Sequence, residues 1–198
     1  MSVILLKPRA ETLTATETAA QRRVRLGSRA LAWLFTGLLG VSVAILVAAL
    51  LAMLFYRGEL LRIGPDNCYI GEGPPNSVAF GSLPLVHRLV YCGVGIVRAT
   101  PIIMLFWSLR DLFRLYAGGK VFAPANAAQF RRIGIWLCAY ALSPFACHLV
   151  LDATGYEIDR NWAHMASVQA FVLGLLVFVI GEVMRVGREI EEDREAFV

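Results

Sequence analysis

The sequence predicts an all-α integral membrane protein: a four-helix bundle with both ends in the cytoplasm and helical extensions on that side. Three observations carry this prediction. The 198 residues are 58% hydrophobic and 17% charged, with a mean hydropathy of +0.62, whereas soluble domains run about 45–50% apolar and about 25% charged. Four apolar runs approach or exceed the ~20 residues that cross a ~30 Å hydrocarbon layer as helix. Fourteen of the nineteen Lys and Arg residues fall on one side of a four-span arrangement that starts inside, as the positive-inside bias requires.

Residues 1–29 form a basic cytoplasmic tail carrying Lys7, Arg9, Arg22, Arg23, Arg25 and Arg29. It does not resemble a secretory signal. The first long apolar run starts only at Ala30, is too long for a signal core, and is followed by no clear small-residue cleavage site. Arg22-Arg23-Val24-Arg25 lies beside a span, so it reads as an anchor to anionic lipid, worth about 1 kcal/mol per cation. No direct contact with nucleic acid is expected from it.

Residues 30–56 form the first span, without a charge from Ala30 to Tyr56. Residues 57–83 form an outer loop rich in Gly and Pro, expected to be an irregular connector too small to fold as a domain. Residues 84–108 form the second span, interrupted by Arg98 and by Thr100-Pro101. Residues 109–132 form a cytoplasmic helix-turn-helix loop. In it the second helix runs on to Tyr116, with Asp111 and Arg114 spaced to pair on one face. Gly118-Gly119 stops that helix, and Pro124 suits the first turn of the next.

Residues 133–151 form the third span, where Ser143-Pro144 implies a kink. Residues 152–162 form a short, slightly acidic outer loop. Residues 163–186 form the fourth span, and residues 187–198 a charged tail that extends it. Trp33, Trp107 and Trp136 fall near the inner boundary and Trp162 near the outer one, the level that indole rings prefer. Gly37 and Gly40, Gly93 and Gly95, and Gly174 and Gly181 are expected to let helices approach closely. Cys68, Cys92, Cys138 and Cys147 show no CxxC spacing, so neither a disulfide framework nor a zinc site is expected.

Two stretches carry a family resemblance. The middle loop reads Leu112-Phe113, then Gly119-Lys120-Val121-Phe122, Asn126 and Arg132-Ile133-Gly134. The end reads Gly181-Glu182-Val183-Met184-Arg185, continuing to Asp193. Both resemble signatures of a bacterial membrane family, domain of unknown function 2975 (DUF2975), from about Arg57 onward. The resemblance implies a small four-span protein of the bacterial cytoplasmic membrane. It also implies a cytoplasmic partner of helix-turn-helix regulator type, because family genes often neighbour such a gene. The family supplies no catalytic residues. Members usually carry Thr or Ser where this chain has Ala123, so a helix N-cap is missing here.

The candidate intramembrane polar site is Arg98, Glu182 and Arg185. An Arg at a helix centre costs about 2.5–3.5 kcal/mol to insert. Arg98 therefore either satisfies carbonyls, such as that of Val97 freed by Pro101, or serves a ligand or ion. Glu182 has Arg185 three residues on as its simplest partner; the other reading is a proton relay. Lys120, Phe122, Asn126, Arg131 and Arg132 form a candidate partner-binding surface. His87, His148 and His164 all fall at the outer edge, where three imidazoles could hold a metal or haem, or merely hydrogen-bond loops. No cofactor is required.

Enzyme signatures are absent. Gly119-Lys120 is not a phosphate loop, because position 114 is Arg and Val follows the Lys. No H-E-x-x-H or G-x-S-x-G occurs. The leading expectation is a membrane-embedded regulatory or interaction module that acts on a cytoplasmic partner. The alternatives are a transport or ligand-binding bundle, working as a homo-oligomer through Arg98 and Glu182, and a metal or haem protein built on the histidines.

Overall fold

The computed structural model describes residues 19–64, 68–120, 123–153 and 165–195. These form four helices: α1 Ala19–Phe55, α2 Leu85–Ala117, α3 Pro124–Ala153 and α4 Met165–Glu195. All four are long and apolar enough to cross a membrane. They contain 37, 33, 30 and 31 residues, or about 45–55 Å each at 1.5 Å per residue. Each therefore outruns a ~30 Å hydrocarbon layer by several turns. Helix α1 starts well before the apolar run at Ala30, so part of the basic tail is helical. Helix α4 likewise continues through the charged segment to Glu195.

Successive helices pack antiparallel. Phe35 of α1 stacks on Phe113 of α2, with ring centroids 5.6 Å apart, and also meets Phe106. Near the other end of that pair, Arg88 of α2 reaches the Leu54 carbonyl of α1. The Cys147 thiol of α3 lies 3.9 Å from the Val94 carbonyl of α2, and Gly134 of α3 meets Gly174 of α4. The packing runs in series: α1 on α2, α2 on α3 and α3 on α4. Among the described residues no other pair of helices packs along its length, so α1 and α4 share no extended interface. Helix α1 offers only one stripe, with Ser28 and Ala32 buried, and leaves most of its apolar surface exposed. Such a surface suits lipid, which is as apolar as the side chains themselves.

The tightest seam is α3–α4. A Cβ added at Gly174 would lie 2.8 Å from the Cys138 sulfur and 2.9 Å from the Gly134 carbonyl oxygen. One at Gly181 would lie 3.0 Å from the Arg131 amide nitrogen. Gly174 and Gly181 thus permit close approach, and Gly134 faces them. Gly37, Gly40, Gly93 and Gly95 do not: a Cβ there would meet nothing within 4 Å. Sequence spacing alone cannot tell the two sets apart, because a glycine admits a neighbour only where a neighbour has been placed.

The connection between α1 and α2 is not irregular. Leu61–Ile63 (β1), Cys68–Ile70 (β2) and Val78–Ala79 (β3) form an antiparallel sheet of order β2-β1-β3. Arg62 holds it together, donating from Nε to Ser77 Oγ at 2.9 Å and from Nη2 to the Ser77 carbonyl at 2.8 Å. Gly71 closes one corner with φ +92°, where a glycine pays no steric cost. A short 3-10 turn, Phe80–Ser82, leads into α2, with Phe80 wholly buried against Tyr91.

Candidate functional site

Antiparallel packing brings the N-terminal half of α1, the C-terminal end of α2, the N-terminal end of α3 and the C-terminal end of α4 to one end of the molecule. Those segments carry the cations. At the α3–α4 junction the Glu182 carboxylate accepts from Arg185 Nε at 3.0 Å and faces Arg131 Nη1 at 3.5 Å. One carboxylate thus bridges two helices. Both arginines are about half exposed, so solvent screens the pairs and each is worth about 1 kcal/mol or less.

The α2–α3 turn lies at the same end. Gly119 adopts φ +77°. The Lys120 amide donates to the Leu115 carbonyl and the Gly119 amide to that of Tyr116, both at 3.0 Å. This double closure is the Schellman arrangement, which needs a left-handed residue after the helix. Asn126, fully buried, donates its side-chain amide to the Lys120 carbonyl at 2.7 Å. It therefore fixes the turn rather than offering itself to a partner. Lys120, Arg131 and Arg132 are exposed, and Phe122 lies outside the described residues. Asp111 does not pair with Arg114: it accepts the Trp107 indole N–H at 3.0 Å, one turn back.

Two clefts flank α2 at this end. One, of about 430 Å³, lies between α1 and α2 and is lined by Arg29, Trp33, Arg110 and Arg114. The other, of about 390 Å³, lies between α2 and α3 and is lined by Trp107, Arg132 and Trp136. Sequence reasoning missed the first because its cations lie on segments some eighty residues apart. The available signal was that arginines border both apolar runs at the same end, Arg29 just before that of α1 and Arg110 just after that of α2.

Arg98 lies half-buried on α2; two residues on, the hydroxyl of Thr100 donates to the Ile96 carbonyl at 2.8 Å. It is not joined to Glu182. Since Val94 meets Cys147, Arg98 stands near residue 143 of α3, whereas Glu182 faces Arg131, about 18 Å away along the helix axis. His87 and His148 sit half-buried on α2 and α3, and His164 lies outside the described residues. Among the described residues no three His, Cys, Asp or Glu side chains converge on a common point.

Sequence reasoning also passed over Arg88, the charge most firmly built into the fold. It is buried and donates to the carbonyls of Leu83 at 3.0 Å, Leu54 at 3.3 Å and Gly81. Leu54 lies in the last turn of α1, where carbonyls lack helical partners and a cation is favoured. Arg88 thereby clamps the end of α1, the Phe80–Ser82 turn and α2 together.

The profile of a family described as "Protein of unknown function (DUF2975)" matches residues 76–198. The chain belongs to the DUF2975 family. The match takes in α2, α3 and α4 with the glycine seam, the Gly119 turn and the Glu182 bridge, and leaves α1 and most of the three-stranded sheet beyond it. No curated protein and no solved structure matches this DUF2975 chain.

Proposed function

We propose that this DUF2975 chain is a multi-pass protein of the bacterial cytoplasmic membrane, with both ends inside, that acts as a regulatory interaction module on a soluble cytoplasmic partner. The observation that supports this reading is the gathering of exposed cations (Lys120, Arg131 and Arg132) at one end of four antiparallel helices that outrun the hydrocarbon layer. A surface of this kind favours a partner with an acidic face. The family resemblance suggests a helix-turn-helix regulator, held at the membrane and released when the helices repack. The opposite end carries a small sheet, which offers little room for a receptor domain.

The test is photo-crosslinking from Lys120 in native membranes, with mass spectrometry of the adducts. The expected result is one dominant cytoplasmic protein. Adducts with lipid or with a second copy of the chain alone would overturn the reading. Reporter fusions at both termini and in the outer loop test orientation separately. The transport alternative, resting on Arg98 with Glu182, needs a second copy to unite them, because within one chain they stand at different depths.

A further inference from the structure

The geometry points to the cleft between α1 and α2 as the seat of an anionic phospholipid, its phosphate held by Arg29, Arg110 and Arg114 and its glycerol and acyl chains laid along Trp33. Three guanidinium groups line one opening, and among the described residues no carboxylate does. Among the described residues neither Arg29 nor Arg114 has an ion-pair partner, and Arg110 only rests over the Trp107 ring at 5.8 Å. Such an excess of positive charge in a concave site calls for an anion, and guanidinium forks match phosphate oxygens in pairs.

The depth selects a lipid over a soluble ion. Arg29 is the last charge before the uncharged run of α1, and Arg110 is the first after the apolar run of α2 that begins past Arg98. The cations therefore ring the level of the headgroups. One turn deeper, Ala32 supplies a small wall and Trp33, 77% exposed, a large apolar one. Indole rings favour this interfacial depth, and basic pockets between spans on the cytoplasmic side bind anionic headgroups. The inference rests on α1 and α2 being membrane spans, and not on the identity of any protein partner.

The test uses the full chain in mild detergent. Native mass spectrometry measures binding of phosphatidylglycerol against phosphatidylcholine. The chain should bind the anionic lipid at least tenfold more tightly. The double variant Arg29→Gln/Arg114→Gln should weaken that binding about thirtyfold and leave phosphatidylcholine unchanged. Arg57→Gln removes one charge at the far end and should change nothing. If the double variant does not fold, brominated phosphatidylglycerol should quench wild-type tryptophan fluorescence more than brominated phosphatidylcholine. That excess should vanish in Trp33→Phe. Equal affinity for the two lipids, an unaffected double variant, an excess that persists without Trp33, or displacement by inorganic phosphate would each overturn the proposal. Resistance of the chain to carbonate extraction is measured alongside. A chain that washes off membranes refutes the span reading itself, whereas an extraction-resistant chain without lipid preference refutes only the lipid seat.

Discussion

Gly134→Ala is the smallest change that probes the α3–α4 seam. The new Cβ would stand 2.7 Å from the Gly174 carbonyl oxygen, the Phe178 Cβ and the Phe178 nitrogen. Two of these belong to the α4 backbone and cannot rotate away. Ordinary contact begins at 3.4 Å, so the helices must part locally by about 0.7 Å, and a gap of that size forfeits a quarter to a half of the dispersion energy of each facing atom. Overpacking of this kind costs about 1–3 kcal/mol, while Ala returns about 1 kcal/mol of helix propensity. In a membrane no hydrophobic term between the helices offsets the remainder. With three atoms at 2.7 Å the upper end of the overpacking range applies, so the net loss should be about 2 kcal/mol, seen as a fall of about 4–8 °C in Tm for a chain of this size. The assay is the fraction that remains monodisperse on size exclusion after heating in mild detergent. Gly37→Ala and Gly93→Ala, where a Cβ meets nothing within 4 Å, should leave Tm unchanged or raise it. A Gly134→Ala protein at least as stable as the parent would refute the close-packed seam.

Further substitutions probe the other anchors. Arg88→Met removes three charged hydrogen bonds from a buried site and should cost about 3–5 kcal/mol. Arg88→Lys should recover less than half of that, since one ammonium cannot reproduce the planar fork, and a Tm for Arg88→Met within about 2 °C of the parent would refute the clamp. Asn126→Ala leaves the Lys120 carbonyl without its donor and should cost about 1–2 kcal/mol; limited proteolysis at the α2–α3 turn should accelerate, and unchanged cleavage would count against its role. Glu182→Gln should cost about 1 kcal/mol or less because Arg131 and Arg185 are half exposed, and the difference should shrink in high salt; a salt-independent loss would mean that Glu182 does more than bridge. Arg62→Ala should release the three-stranded sheet without displacing the helices, seen as faster amide exchange confined to residues 61–79, and exchange spreading into α2 would contradict this independence.

The helices were legible because hydropathy is a sum over some twenty residues and tolerates local exceptions such as Arg98. The stop after α2 was legible because the Gly118-Gly119 pair falls where the apolar pattern ends, and Gly119 does take the left-handed conformation. The sheet was hidden because strands of two or three residues have no period to read, and the pairing of Arg62 with Ser77 spans fifteen residues. Arg88 looked like a flanking charge at the edge of an apolar run. Its burial follows from a loop that folds back over it, which composition does not encode. Local spacing allowed Asp111 two partners, and the indole of Trp107 won over the guanidinium of Arg114. At the candidate site, the sequence identified which cations share an end. It could not tell that Asn126 turns inward while Lys120 stays exposed, nor that Arg29 and Arg114 line the same cleft.

The serial order of packing bears on how the chain is made. Each helix rests on the one synthesised just before it, so every interface can close as soon as its second helix leaves the ribosome. No early segment must wait for a late one, as α1 would wait for α4 in a closed ring. Contacts between successive hairpin-like pairs keep sequence separations short, and short separations carry a low entropic cost of closure. The last interface to form is the glycine seam, where backbones meet directly and error is least tolerated. Biogenesis would then end on its most exacting fit, and a defect at Gly134 or Gly174 would leave a nascent chain with three helices assembled and the fourth undocked, exposed to quality-control proteolysis.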